Sequence, residues 1–293
     1  MAGFNMKRQQ IISASRRTDI PAFYAEWFID KIRRGYCRVA NPYNASQIKK
    51  ISLRPEDVAA IVFWTRRAKP LKPLLAELDS RGYNYYFLYT LTAYPHSYES
   101  GLPCIDESID DFLSLAELIG PEKMIWRYDP IIMTPSMNVE FHVRNFRRFS
   151  DRLSAGTKSV IITFLKRYRH IEGALAQMGY VQPSAHQRRV LEDRLQSAAS
   201  DAGITIKSCG TRDAFTSIPE GKCIDDKLLS DLFGLEFAKG KDPGQPKECG
   251  CIRSVDIGRY GSCMHRCVYC YASRDFMQAE KGCRGHDYRA EML

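Results

Sequence analysis

The sequence predicts an α/β fold, a partial or full parallel (β/α) barrel with a cysteine-rich extension at its C-terminal end. Three observations lead there. Short apolar runs rich in Ile, Val, Tyr and Phe alternate with longer amphipathic stretches, which is the rhythm of successive βαβ units. Several of these runs end in polar residues, as strands do when a ligand site lies at the carboxyl ends of a parallel sheet. At 293 residues and 44% hydrophobic content, the chain can bury one large core.

The elements follow in order. "QIISAS", near residue 12, reads as the first buried strand and delivers Arg16, Arg17 and Asp19 at its end. "PAFYAEWFIDKIRRG" has proline early and glycine at its close, the usual punctuation of a helix. "AAIVFWT", near 62, is a strand that ends in Thr65, Arg66 and Arg67, and "YNYYFLYTLT", near 87, is another that carries Thr90 and Thr92. "DESIDDFLSLAELIG" starts with acidic residues and repeats its leucines and isoleucines at helical spacing up to Gly120. "KMIWRYDPI" is a strand delivering Arg127 and Asp129. "KSVIITFL", the helix "SAHQRRVLEDRLQSAASDAG" and the strand "GITIKS" continue the alternation. From about Pro219 the rhythm changes to a short helix, "GKCIDDKLLSDLFG", a Gly/Pro/Lys-rich loop, "EFAKGKDPGQPKECGC", and a strand-like "CIRSVDIGRY". Residues 1–218 are thus expected to form the barrel body. Residues 219–293 would be a cysteine-rich segment packed on it within the same domain, too short to bury a core unaided unless a metal staples it.

Charge and cysteine usage narrow the chemistry. The formal net charge is +9, from 43 Lys and Arg against 34 Asp and Glu, which suits an anionic partner such as nucleic acid or a phosphorylated small molecule. The basic residues stand in short groups, "SRR", "TRR", "RNFRR" and "KRYR", and not in one tail. No apolar run reaches the roughly 18–20 residues that cross a bilayer, and the N-terminal stretch has no signal-peptide core. A cytoplasmic protein with no membrane contact is expected. Of ten cysteines, all but Cys37 and Cys104 fall after residue 208. In a reducing compartment, such clustering points to metal or redox chemistry before disulfides.

The densest cluster is "GSCMHRCVYCYA", with Cys263, Cys267 and Cys270 separated by three residues and then two. Tetrahedral zinc usually draws its ligands in close pairs a dozen or more residues apart. Three thiols in one tight loop suit an iron–sulfur cubane, whose fourth iron is then left open for a small molecule. His265, inside this loop, is expected to support it rather than to ligate.

"CMHRCVYC", with Tyr269 just before the third cysteine, resembles the Cys-x3-Cys-x2-Cys signature of the radical S-adenosylmethionine superfamily. The resemblance implies that Cys263, Cys267 and Cys270 hold a [4Fe–4S] cluster whose open iron is chelated by S-adenosylmethionine. It implies reductive cleavage of the sulfonium to a 5′-deoxyadenosyl radical that abstracts a hydrogen from substrate. A reductant such as flavodoxin or ferredoxin would supply the electron. Tyr269, Thr65, Thr90 and Thr92 become candidate cofactor-binding residues, and Arg16, Asp19, Arg127 and Asp129 candidate catalytic ones. The triad of most superfamily members lies near the N-terminus, so this chain would be circularly permuted, with "SVDIG" as the strand beside "IISAS". It has no clear Gly-Gly-Glu segment of the kind that the superfamily uses for the methionine amine. Over nearly its whole length the chain also resembles a bacterial family catalogued as domain of unknown function 1848. The segments "SASRRTDIPAFY", "ANPYN", "WRYDPI", "GKCIDD" and "CGCIRSVDIGRYGSCMHRCVYCYA" carry that likeness, and it confers no substrate.

Cys209, Cys223, Cys249 and Cys251 could complete a second tetrathiolate site, an auxiliary iron–sulfur cluster or a zinc. Cys37, Cys104 and Cys283 stand alone and are read as non-ligands. Two further functions stay open. A metal-stapled nucleic-acid-binding protein would use the basic charge and the 33 aromatic residues. A fourth cysteine ligand from elsewhere in the chain, closing the open iron, would favour an electron-transfer or redox-sensing iron–sulfur protein. Substrate and oligomeric state are not legible.

Overall fold

The structure, a computed structural model, describes residues 9–210, 215–237 and 240–293. The chain runs β1 (Gln10–Ala14), α1 (Ile20–Phe23), α2 (Ala25–Arg34), β2 (Tyr36–Asn41), β3 (Asn44–Ser52), β4 (Val58–Thr65), α3 (Leu75–Ser80), β5 (Tyr85–Thr90) and α4 (Ile105–Ile119). It continues through β6 (Met124–Ile131), α5 (Val139–Leu153), β7 (Ser159–Phe164), α6 (Glu172–Met178), α7 (Ala185–Asp201), β8 (Thr205–Ser208), α8 (Asp226–Phe233), β9 (Val255–Asp256) and α9 (Phe276–Arg284).

Seven strands form one sheet in the order β8-β7-β6-β5-β4-β1-β9, every neighbour parallel. All six apolar runs are strands of this sheet. The seventh, β9, lies beside β1 with Ile12 opposite Val255 and Ser13 opposite Asp256, as the sequence led us to expect of "SVDIG". A chain that enters the sheet at β1 thus returns at its end to occupy the adjoining edge. The sheet is open, with β8 and β9 at its edges. The described strands therefore do not close the full barrel that the sequence allowed.

Each strand face has its own cover, because alternate side chains point to opposite sides. Ile61, Phe63, Phe87, Tyr89, Trp126, Tyr128 and Ile162 pack with helix residues such as Trp27, Phe28, Phe112, Phe146, Phe149 and Leu195 in the main core. Ile11, Ala60, Val62, Tyr86, Leu88, Ile125 and Ile161 face the other way. They are covered by Cys209 at the end of β8 and by the cysteine-rich segment, through Cys223, Ile224, Leu229, Cys249, Cys251 and Ile252. Strands buried on both faces read as continuous apolar runs, which is why they stood out.

Three features differ from expectation. The first helix is split at Tyr24. Asp19 caps α1 by accepting the Ala22 amide, Pro21 opens it, and α2 ends at Gly35 in a left-handed conformation. The antiparallel hairpin β2–β3 was not foreseen. β3 is exposed along most of its length and has no apolar run to betray it. Nor was α5 read, although Asn138 caps it and Val143, Phe146, Phe149 and Leu153 form a buried stripe at helical spacing. Among the described residues no helix is long and apolar enough to cross a membrane.

Candidate metal centres

β9 delivers the triad loop to the carboxyl end of the sheet. Its Asp256 accepts hydrogen bonds from Ser13 Oγ (3.1 Å), Ser15 Oγ (2.6 Å) and the amides of Arg16 (2.8 Å) and Gly258 (3.0 Å). The approach is close at this junction, since a Cβ at Gly258 would lie 2.0 Å from Ser15 Oγ. The loop after β5 then pins the triad loop from the side. The Gly101 amide donates to the His265 carbonyl (3.0 Å), the Val268 amide to Tyr98 (3.0 Å), and Glu99 pairs with Cys267 in an antiparallel bridge. Only glycine fits at 101, where a Cβ would stand 2.2 Å from the Met264 carbonyl oxygen. Tyr24 donates its hydroxyl to the Ser262 carbonyl (2.7 Å) and ties the loop to the helical layer.

Asp19 is the hub of the polar support. It accepts from the Ala22 amide (2.9 Å), Thr65 Oγ1 (2.8 Å), the Arg66 amide (2.7 Å) and His265 Nε2 (2.7 Å). One buried carboxylate thereby holds the first helix, the end of β4 and the triad loop together. Arg66 is the second hub. Its guanidinium donates to Cys267 Sγ (3.2 Å), the Tyr269 hydroxyl (2.9 Å) and Thr92 Oγ1 (2.6 Å), and pairs with Glu99 (2.7 Å). Glu99 in turn accepts from Thr92 (3.1 Å) and from the Tyr269 hydroxyl. Burial opposes the Arg66 charge, but Glu99, Tyr269 and Cys267 more than offset it and hold its pKa well above the ordinary value.

The three triad thiols are shaped as ligands. Burial pushes Cys267 up to about 12, with Arg66 pulling the other way, and raises Cys263 and Cys270 as well. Each sulfur nonetheless faces a hydrogen-bond donor: the His265 amide for Cys263, Arg66 for Cys267, and the Ala272 and Ser273 amides for Cys270. Cys267 is buried and Cys263 and Cys270 are half-buried, and thiols with donors aimed at sulfur suit a metal that supplies the missing positive charge. The donor set fits an iron–sulfur cluster.

Beside this loop, Arg16 and Arg127 place their guanidinium carbons 5.3 and 4.7 Å from the Trp64 ring centre. Arg127 pairs with Asp129, and Tyr271 donates to the Arg16 carbonyl. Arg16 Nη2, Arg127 Nε and Trp64 Nε1 are buried without a hydrogen-bond partner. The structure thus gathers Asp19, Thr65, Thr92 and Tyr269 around the triad, and Arg16, Arg127 and Asp129 around Trp64. Thr90 is buried at the end of β5. Arg66 was visible only as a strand-end residue, His265 only as a support within its loop. Glu99, Trp64 and Asp256 carried no sequence signal of a site.

The second cysteine set also assembles. Cys209, Cys249 and Cys251 have sulfurs all within 4.8 Å of one another and could hold a metal ion. Cys223 joins them, its sulfur 3.5 Å from that of Cys209. Hydrogen bonds from Cys209, Cys223 and Cys249 push the Cys251 thiol well down.

A family model described as Domain of unknown function (DUF1848) matches residues 11–272. No curated protein matches the chain.

Proposed function

The chain belongs to the family described as domain of unknown function 1848, and from that premise, which assigns no activity, we propose that it is a radical S-adenosylmethionine enzyme acting on a substrate yet to be found. One observation carries the reading. The strand that leads into the Cys-x3-Cys-x2-Cys loop lies beside β1, so a triad at the far end of the sequence reaches the carboxyl ends of the first strands. We read the open parallel sheet as a partial barrel in permuted order, with its mouth at those ends.

In this reading, Cys263, Cys267 and Cys270 hold a [4Fe–4S] cluster, and S-adenosylmethionine binds beside it. A bound, reduced cluster would supply the one electron needed to cleave the sulfonium, giving methionine and a 5′-deoxyadenosyl radical able to take a hydrogen atom from substrate. The chain's residues do the rest. Arg66 steadies the Cys267 thiolate through its N–H···S bond, and Glu99 and Tyr269 keep the guanidinium oriented. Asp19 and His265 fix the loop. Trp64, Arg16 and Arg127 present unpartnered N–H groups that suit a carboxylate or phosphate of cofactor or substrate. Thr90 and Thr92 line the neighbouring strand end, and a flavodoxin or ferredoxin of the cytoplasm would be the reductant. An electron-transfer role has less support. Cys283, the lone thiol of this segment, meets the Phe23 carbonyl (4.0 Å) and Tyr24.

Anaerobic reconstitution with iron and sulfide tests the cluster. Iron and acid-labile sulfide that Cys267→Ala loses, with an electron paramagnetic resonance signal that shifts on adding S-adenosylmethionine, are expected. A signal indifferent to S-adenosylmethionine would overturn the proposal.

A further inference from the structure

We propose that Cys209, Cys223, Cys249 and Cys251 hold one tetrahedral divalent ion of the zinc type. It would be a closed structural site that staples the cysteine-rich segment across the sheet face opposite the helices, and not a second iron–sulfur cluster. The spacing of the sulfurs favours the single ion. Four thiolates on one zinc, with bonds of roughly 2.3 Å, sit about 3.8 Å apart at the corners of a tetrahedron. Cys209 and Cys223 stand 3.5 Å apart, and Cys209, Cys249 and Cys251 lie mutually within 4.8 Å, a group that Cys223 adjoins through Cys209 without standing within that distance of all three. In a cubane each thiolate binds a different iron, so the sulfurs spread beyond a tetrahedron edge. The triad of Cys263, Cys267 and Cys270 is not gathered as closely as the second set.

The surroundings complete the case. All four cysteines are buried, between 1% and 9% exposed, and four thiolates leave no open position for substrate, as in structural zinc sites. The Ile224 amide donates to Cys251 Sγ (3.4 Å), and such donors to sulfur orient thiolate ligands. Four thiolates and one divalent ion carry a net charge of −2, and two cations stand near. Arg16 faces Cys251 and Cys223, and Arg127 faces Cys223. Their orphaned N–H groups, Arg16 Nη2 and Arg127 Nε, belong to the same two side chains. The arginines at the mouth thus also neutralise the ion site.

The staple has a clear task. The ligands come from the end of β8, the loop before α8, and a Cys-x-Cys turn more than two dozen residues further on. Among the described residues, Ile224, Leu229 and Ile252 are the buried aliphatics with which the segment covers this face of the sheet. Its polar ties to the sheet include the Tyr86 hydroxyl donating to the Cys223 carbonyl (2.6 Å). An ion that joins three stretches of chain supplies the missing cohesion.

The test needs no assumption about the triad. The full-length variant Cys263→Ala/Cys267→Ala/Cys270→Ala, offered iron, sulfide and zinc anaerobically, is expected to retain one zinc per chain and no acid-labile sulfide. Iron with labile sulfide, or no metal, would overturn the proposal. On the unsubstituted chain, zinc-edge X-ray absorption should give four sulfur neighbours at about 2.3 Å, and nitrogen or oxygen neighbours would contradict the site. Stripping the zinc should strip hydrogen-exchange protection from α8 and leave β6 and β7 protected. Unchanged protection of α8 would refute the staple.

Discussion

Replacing Glu99 by glutamine keeps the side chain's shape and removes the charge that balances Arg66. The pair is dry, with side chains 13% and 5% exposed and a separation of 2.7 Å. Breaking such a pair by removing one partner costs about 3–5 kcal/mol, because the remaining charge is left buried. The lower figure applies here, since Arg66 keeps bonds to Thr92 and Tyr269. Glu99→Gln and Arg66→Met should each cost about 3 kcal/mol. The double variant removes both charges and should cost far less than the sum, about 3 kcal/mol in place of about 6. Urea unfolding of the four proteins, analysed with a common slope, measures the difference. Additivity to within about 0.5 kcal/mol would show that the two charges do not support one another and would refute the reasoning.

Gly101→Ala should displace the triad loop, because its Cβ would meet a backbone oxygen at 2.2 Å, whereas Gly282→Ala, with nothing within 4 Å, should be silent. Thermal melting and iron retention after reconstitution separate the two, and equal behaviour would contradict the packing. His142 is fully buried between the Tyr128 hydroxyl (2.9 Å) and the Ile132 carbonyl (2.9 Å), and burial lowers its pKa from 6.5 to about 4. The unfolded chain therefore takes up this proton first as pH falls. The contribution is complete above pH 6.5 and declines toward pH 4, by about 3 kcal/mol at roughly 1.4 kcal/mol per pH unit. His142→Gln should flatten that part of the stability profile, and an unchanged slope would rule the group out.

The sheet was legible because strands buried on both faces are written as unbroken apolar runs, and β9 was found because its neighbour in sequence is the cysteine loop. In the hairpin β2–β3, β3 is polar and largely exposed and β2 mostly half-buried, so no burial pattern marks it. Closure was not legible, since apolar runs state how many strands form and not whether the edges meet. At the site, the cysteines announce themselves by spacing. Asp19 and Thr65 stand at strand ends and meet the loop there. Glu99 is different. It lies in "SYESG" without pattern, and reaches Arg66 only because Gly101 lets two loops touch. Trp64 looks like core on a buried strand, and only the fold sets Arg16 and Arg127 beside it.

The most direct test of the central claim is chemical. The anaerobically reconstituted protein, reduced with dithionite in the presence of S-adenosylmethionine, should release 5′-deoxyadenosine, and Cys263→Ala, Cys267→Ala and Cys270→Ala should each abolish it. A fully loaded and reduced cluster that yields no 5′-deoxyadenosine would contradict the assignment.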